Sequence, residues 1–219
     1  MILLFGGSFD PVHVGHVAIA AAAQQTLQPA RLLWLPTPRS PLKDAAGASA
    51  EHRAGMLTAM LQGAGQPGWA LDDHELRQPA PTYTIDTLRR WRAELGPAAP
   101  LAFLVGLDSL HTLPAWRNWQ ALTEVAHLVV AHRPDLPARL PEIVQSWLKN
   151  RQTSSPVLLQ SRPFGSVTLL DTPPCPVSST ALRVALADER LPQEWLPAGV
   201  GDYIVRHGLY RATENPASP

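Results

Sequence analysis

The chain has 219 residues, 45% hydrophobic and 16% charged, with 18 basic and 18 acidic side chains that cancel to a formal net charge of zero. That length can bury one sizeable core, and the balanced charge argues against general affinity for nucleic acid or acidic membranes. A single cysteine, Cys175, excludes a disulfide framework and a cysteine-built zinc site.

No apolar run approaches the ~20 residues of a membrane span, and no basic segment followed by an apolar stretch opens the chain. A cytoplasmic protein is the expectation. Residues 1–210 read as a single domain, and Arg211 to Pro219, polar and without an apolar pattern, as a disordered tail.

The apolar run Met1–Phe5 predicts a buried strand, and the Ala-rich stretch Val14–Leu27 a helix. Between them lies Gly6-Gly7-Ser8-Phe9-Asp10-Pro11-Val12-His13-Val14-Gly15-His16. A strand, a glycine segment and a helix start form a natural phosphate site, because the first helical N–H groups are unpaired and carry the positive dipole end. Gly6 and Gly7 either admit a ligand close to the backbone or make a tight turn. Asp10 reads as structural, its carboxylate bonding nearby N–H groups. His13 and His16, three apart, share one helix face, so both imidazoles can reach one anion. Metal chelation is the minor alternative, since no compact ligand set lies close in sequence.

Further along come strand Arg31–Pro36, a loop Thr37–Ser49, helix Ala50–Gln62 and strand Trp69–Asp72. Pro79 to Thr84 precedes helix Thr84–Leu95, with Thr82 or Thr84 as its cap and Tyr83 either in the core or facing a pocket. Strand Leu101–Val105 leads to Gly106-Leu107-Asp108-Ser109 and a short helix from Ser109. Asp108, just beyond a strand end, suits a ribose hydroxyl or a metal-bound water. Trp116 either seals the core or stacks on a flat ring. A short helix around Asn118–Leu122 follows, then strand His127–Ala131, ending at His132-Arg133, which could meet a base or phosphate. Helix Pro137–Asn150, strand Val167–Leu170, helix Ser179–Ala187 and a last helix near Gly199–His207 complete the pattern. Before the penultimate helix, Ser178 or Ser179 caps, and Thr180 and Arg183 add a hydroxyl and a guanidinium suited to polyphosphate.

Strands alternating with helices predict an α/β fold, a Rossmann-like doubly wound parallel sheet. Ligands in such sheets bind at the carboxyl ends of the strands, near the switch point. Gly6–His16, Thr37–Lys43, Gly106–Ser109, His132–Arg133 and Thr172–Thr180 all follow strands, so they converge on one pocket.

With these residues in view, the chain resembles the bacterial nicotinate-nucleotide adenylyltransferases of the (H/T)-x-G-H nucleotidyltransferase superfamily. His13-Val14-Gly15-His16 is the signature, and Ser178-Ser179-Thr180-Ala181-Leu182-Arg183 looks like the superfamily's C-terminal motif. Three middle segments are similar to that family's own: Pro81 to Leu88, Gly106 to Leu110 with Leu113 to Trp116, and Ala126 to Pro134. Three departures stand out. Leu42 occupies the place of a usual His, beside Lys43, Thr82 stands where Ser is common before Tyr-Thr, and Arg117 follows the Trp.

The resemblance implies transfer of AMP from ATP to nicotinate mononucleotide, giving deamido-NAD and pyrophosphate, with Mg²⁺ held mainly by the ATP phosphates. It implies His13, His16 and Arg183 as catalytic residues. ATP would meet Gly6, Gly7, Ser8, Phe9, Gly15, Lys43, Gly106, Asp108, Arg133, Ser178, Ser179 and Thr180. The mononucleotide would meet Tyr83, Thr84, Trp116 and Arg117. Another small adenylyltransferase, acting on nicotinamide mononucleotide or phosphopantetheine, and a non-catalytic nucleotide-binding regulator remain the alternatives.

Overall fold

The computed structural model describes residues 1–38, 47–79, 81–132 and 140–211. Six strands form one parallel sheet: β1 (Ile2–Gly7), β2 (Arg31–Pro36), β3 (Trp69–Leu71), β4 (Leu101–Gly106), β5 (His127–His132) and β6 (Val167–Asp171). Their spatial order is β3-β2-β1-β4-β5-β6. The chain winds outward from β1 through β2 to β3, then returns to place β4 on the other side of β1. The expected doubly wound sheet is present, and its switch point lies between β1 and β4.

The apolar strands read as continuous runs because both faces of the sheet are covered. Alternate residues go to opposite sides. Leu3, Phe5, Leu32, Trp34, Ala102 and Leu104 enter a core shared with helices α1 (Val14–Leu27), α2 (Ala50–Ala64), α7 (Ser179–Ala187) and α8 (Val200–Arg206). Leu4, Leu33, Leu35, Phe103, Val105 and Val130 enter a second core under α3 (Thr84–Leu95), α4 (Asp108–Thr112) and α5 (Glu142–Leu148).

Most predicted elements are present within a few residues. β1 runs two residues further than expected, because Gly6 and Gly7 pair in register with Leu35 and Pro36. They are therefore strand, not a tight turn. α2 continues to Ala64 and stops at Gly65, whose φ of +55° suits glycine. Expected helix 137–150 is shorter at both ends, Glu142–Leu148, because Pro141 takes an extended N-cap conformation and Lys149 and Asn150 form a turn; residues 133–139 lie outside the described residues. Helix α6 (Pro156–Ser161) was not expected: six residues with one buried apolar side chain, Leu159, are too short to show a period. The expected tail lies outside the described residues beyond Arg211. Among the described residues, no helix is long and apolar enough to cross a membrane.

Candidate active site

The glycine segment at the end of β1 is set by rings, not by unusual backbone angles. A Cβ on Gly6 would lie 2.5 Å from the Phe103 ring, and one on Gly7 2.8 Å from the Phe9 ring. Phe9 itself is fully buried, edge-on to His16 with ring centroids 5.1 Å apart. Its side chain belongs to the core, so the ring expected to meet the nucleotide is instead closed off from solvent and packed on His16.

His13 caps α1. Its Nδ1 accepts the Gly15 N–H at 3.1 Å, and the His16 Nδ1 accepts the His13 N–H at 3.3 Å. This is a capping box built from two imidazoles. A main-chain N–H cannot accept, so each Nδ1 presents a lone pair and each neutral ring carries its proton on Nε2. The fold thus makes both histidines Nε2–H donors. Their rings lie 3.8 Å apart, so the two donors are held as a pair. Gly15 keeps the space between them tight: a Cβ there would sit 3.0 Å from the His13 ring and 3.1 Å from the Cys175 sulfur, so both would have to shift by a few tenths of an ångström.

A second helix start is tied to the first. Ser178 caps α7 by accepting from the Ala181 N–H at 3.1 Å, which decides between the two candidate caps. The Ser179 hydroxyl donates instead to the Pro11 carbonyl at 3.0 Å. Arg183 donates to the Asp10 carbonyl at 2.7 Å and lies 3.4 Å from the Thr180 hydroxyl. The N-termini of α1 and α7 are therefore bound side by side, two positive dipole ends with histidine, hydroxyl and guanidinium donors between them.

Asp10 organises this junction. Its buried carboxylate accepts from the Gly47 N–H at 2.7 Å, the Ala48 N–H at 3.1 Å and the Tyr210 hydroxyl at 2.7 Å. The expected structural role holds, but its partners are distant in sequence rather than local. Buried Arg53 does similar work beside it, donating to the Ser8 and Pro38 carbonyls, both at 2.7 Å. Burial pulls the Arg53 guanidinium below its ordinary pKa, opposed by the charge of Asp10. Sequence reading missed Arg53, although it shares the α2 stripe of Met56, Leu57 and Met60, where a charge signals a dedicated partner.

On the α3 side of the sheet lies a cavity of about 510 Å³. Gly6, Gly7 and Ser8 form one wall, Asp108 lies at its rim, and Tyr83, Thr84, Trp116 and Arg117 line the remainder. Tyr83 thus faces the pocket rather than the core interior. It also occupies the N-cap position of α3, which has no side-chain cap, so neither Thr82 nor Thr84 plays that part. The Arg117 guanidinium lies 4.8 Å from the Tyr83 ring centroid and 3.6 Å from the Asp86 carboxylate. Gly106 ends β4, where a Cβ would lie 2.5 Å from the Asp108 carboxylate. Glu75, buried in the same wall, was not singled out in the sequence, because one acid in a polar turn carries no pattern.

Neither histidine nor Arg183 lines this cavity. They lie across β1 from it, since His16 packs on Phe5 and Phe9 of the opposite core. Gly6 to Ser8 lie between the donor-rich junction and this cavity. Lys43 and Arg133 lie outside the described residues.

Residues 4–185 match the cytidylyltransferase-like family. A relative from Aeromonas salmonicida, named probable nicotinate-nucleotide adenylyltransferase, is 43% identical over 209 residues, covering 95% of this chain and 96% of its own. The Salmonella typhimurium nicotinate-nucleotide adenylyltransferase is 37% identical, with 95% and 97% covered. The chain belongs to the nicotinate-nucleotide adenylyltransferases. The fold is also that of the Plasmodium falciparum nicotinic acid mononucleotide adenylyltransferase complexed with NaAD, with a TM-score of 0.70 at 20% identity and 95% and 96% of the two chains covered.

Proposed function

We infer that the protein joins the adenylyl group of ATP to the 5′-phosphate of nicotinate mononucleotide, releasing pyrophosphate and forming deamido-NAD, a step of NAD biosynthesis. The observation that carries this reading is the cavity of about 510 Å³, roomy enough for a whole small ligand, that Gly6–Ser8 line beside the paired starts of α1 and α7. A phosphate oxygen of the mononucleotide attacks the α-phosphorus, and the bond from that phosphorus to the β-bridging oxygen breaks. The attacking group is already anionic, so no protein nucleophile is required. Catalysis is alignment of two repelling anions and stabilisation of the charge that develops.

In this scheme His13 and His16 donate from Nε2 to the triphosphate. Ser179 and Arg183, with Ser178 and Thr180 at the same helix start, face the leaving β,γ-phosphates. Gly6, Gly7, Gly15 and Gly106 keep the backbone open to the nucleotide, and Lys43 and Arg133 add cations. Mg²⁺ would neutralise phosphate charge. Asp108 fits such an ion, because magnesium typically takes one or two carboxylates and keeps water and phosphate as its other ligands. Consumption of ATP suits a cytoplasmic protein.

For the acceptor, Trp116 stacks on the pyridine ring. The nicotinate carboxylate meets N–H groups at the uncapped start of α3 near Thr84, and near Arg117. The amide of nicotinamide would set one donor against another there, and an unpaired buried polar group costs about 1–3 kcal/mol. At about 1.4 kcal/mol per decade, a preference of at least about tenfold in kcat/KM for nicotinate mononucleotide follows. The test is pyrophosphate release from ATP with nicotinate mononucleotide, nicotinamide mononucleotide and phosphopantetheine in parallel. Equal use of the two pyridine mononucleotides would overturn the carboxylate reading.

A further inference from the structure

Glu75 is an anomaly in a pocket built for an anion. It sits in the 3₁₀ turn His74–Arg77 after β3, is 8% exposed, and lines the cavity beside Tyr83 and Thr84. Among the described residues it has no cation within ion-pairing distance: Arg90, the nearest candidate by charge, is bound to Asp72 at 2.6 Å and Glu94 at 2.9 Å. Burial accordingly pushes its carboxyl above the ordinary range, while the hydroxyls of Thr87 and Thr82 pull the other way. A buried carboxylate without a cation destabilises a fold relative to an apolar side chain of similar size. Something other than stability therefore accounts for an acid at this position.

The geometry of its two bonds supplies the reason. One carboxylate oxygen accepts from the Thr87 hydroxyl at 2.5 Å, and the other from the Thr82 hydroxyl at 3.2 Å. Thr82 lies just before the N-cap of α3, and Thr87 lies one turn inside the helix. The two bonds bracket Tyr83 and Thr84. No side chain of α3's own N-terminus caps it, so the entry of the chain into this helix is held from outside, by Glu75. A carboxylate suits that task because it accepts at both ends and donates at neither.

We propose that Glu75 is a positioning residue for acceptor recognition: it fixes the Thr82–Thr87 turn so that the first N–H groups of α3 point into the cavity at the carboxylate of the pyridine ring. This rests on the acceptor reading given above. Glu75 touches no reacting atom and acts through Thr82 and Thr87. Its loss should therefore act on one substrate alone. In that reading the triphosphate lies at the starts of α1 and α7 and does not depend on the entry to α3.

The experiment compares wild type, Glu75→Ala, Glu75→Gln and Thr82→Val in steady-state pyrophosphate release. KM for each substrate and kcat are measured separately, with a thermal melt of each protein. Glu75→Ala should raise KM for nicotinate mononucleotide about tenfold, the scale of one lost charge-assisted bond, and leave KM for ATP within about twofold. Glu75→Gln should recover most of the loss, since an amide accepts from one threonine hydroxyl and donates to the other oxygen. Thr82→Val should shift the same constant in the same direction, by less.

An equal change in both KM values, an unchanged acceptor KM, or a Glu75→Gln protein as impaired as Glu75→Ala would overturn the proposal. Should Glu75→Ala fail to fold, Thr82→Val and Glu75→Gln decide it by the same split. Wild-type protein that does not use nicotinate mononucleotide would reject the acceptor reading and this proposal together. Normal wild-type turnover without the split rejects the proposal alone.

Discussion

Removing the hydroxyl of Tyr210 tests how the chain's C-terminal part holds the phosphate junction. In Tyr210→Phe the ring stays and only the bond to the Asp10 carboxylate, 2.7 Å long, is lost. Hydrogen bonds to ionised groups contribute about 1.5–3 kcal/mol. Asp10 keeps the Gly47 and Ala48 N–H donors and Arg183 at 3.8 Å, so its charge is not stranded. The lower end of that range is expected, about 1.5–2 kcal/mol, or about 3–8 °C in Tm for a domain of this size. The loss should also depend on pH. Burial, then the bond to Asp10 and its charge, push the Tyr210 phenol far above its ordinary value. The folded state therefore keeps this proton where the unfolded chain, with a phenol near pKa 10, gives it up. Tyr210's contribution is complete below about pH 10 and falls by about 1.4 kcal/mol per pH unit above it. Urea denaturation of wild type and Tyr210→Phe at pH 8 and pH 11 reads this directly, because titration of every other group cancels in the difference. The wild-type advantage should shrink at pH 11. A gap that stays constant or widens, or no gap at pH 8, would refute the buried, proton-holding bond.

His16→Ala should lower kcat by roughly 10²–10³, the scale of one preorganised donor, in a protein that still folds; near-wild-type turnover would remove His16 from the mechanism. Arg183→Lys keeps the charge but not the planar donor set that reaches both the Asp10 carbonyl and Thr180, so KM for ATP should rise, and unchanged KM and kcat would show that Arg183 does not serve the triphosphate. Arg53→Met leaves the Ser8 and Pro38 carbonyls without their shared donor and should cost about 2–4 kcal/mol, visible as a lower urea midpoint. An unchanged midpoint would mean that these carbonyls find other partners.

Local chemistry determined much of this protein. Six apolar runs between helical stretches specify a parallel sheet, because only strands buried on both faces read that way. The spacing of His13 and His16 is enough to bring both rings to one helix start, although as N-cap and N3 of a capping box, with His13 itself in extended backbone, rather than as neighbours on a helix face. Ser178 before α7 is equally local. What the sequence could not display is which strand ends become neighbours. Only the return of the chain from β3 to β4 beside β1 sets Tyr83, Thr84 and Trp116 across Gly6–Ser8 from the histidines. The partners of Asp10 drawn from Gly47, Ala48 and Tyr210, and the burial of Glu75 against two threonines, are likewise tertiary. Each depends on a hydrogen bond whose donor and acceptor are chosen by packing, and polar residues carry no periodic signal that announces such a partner.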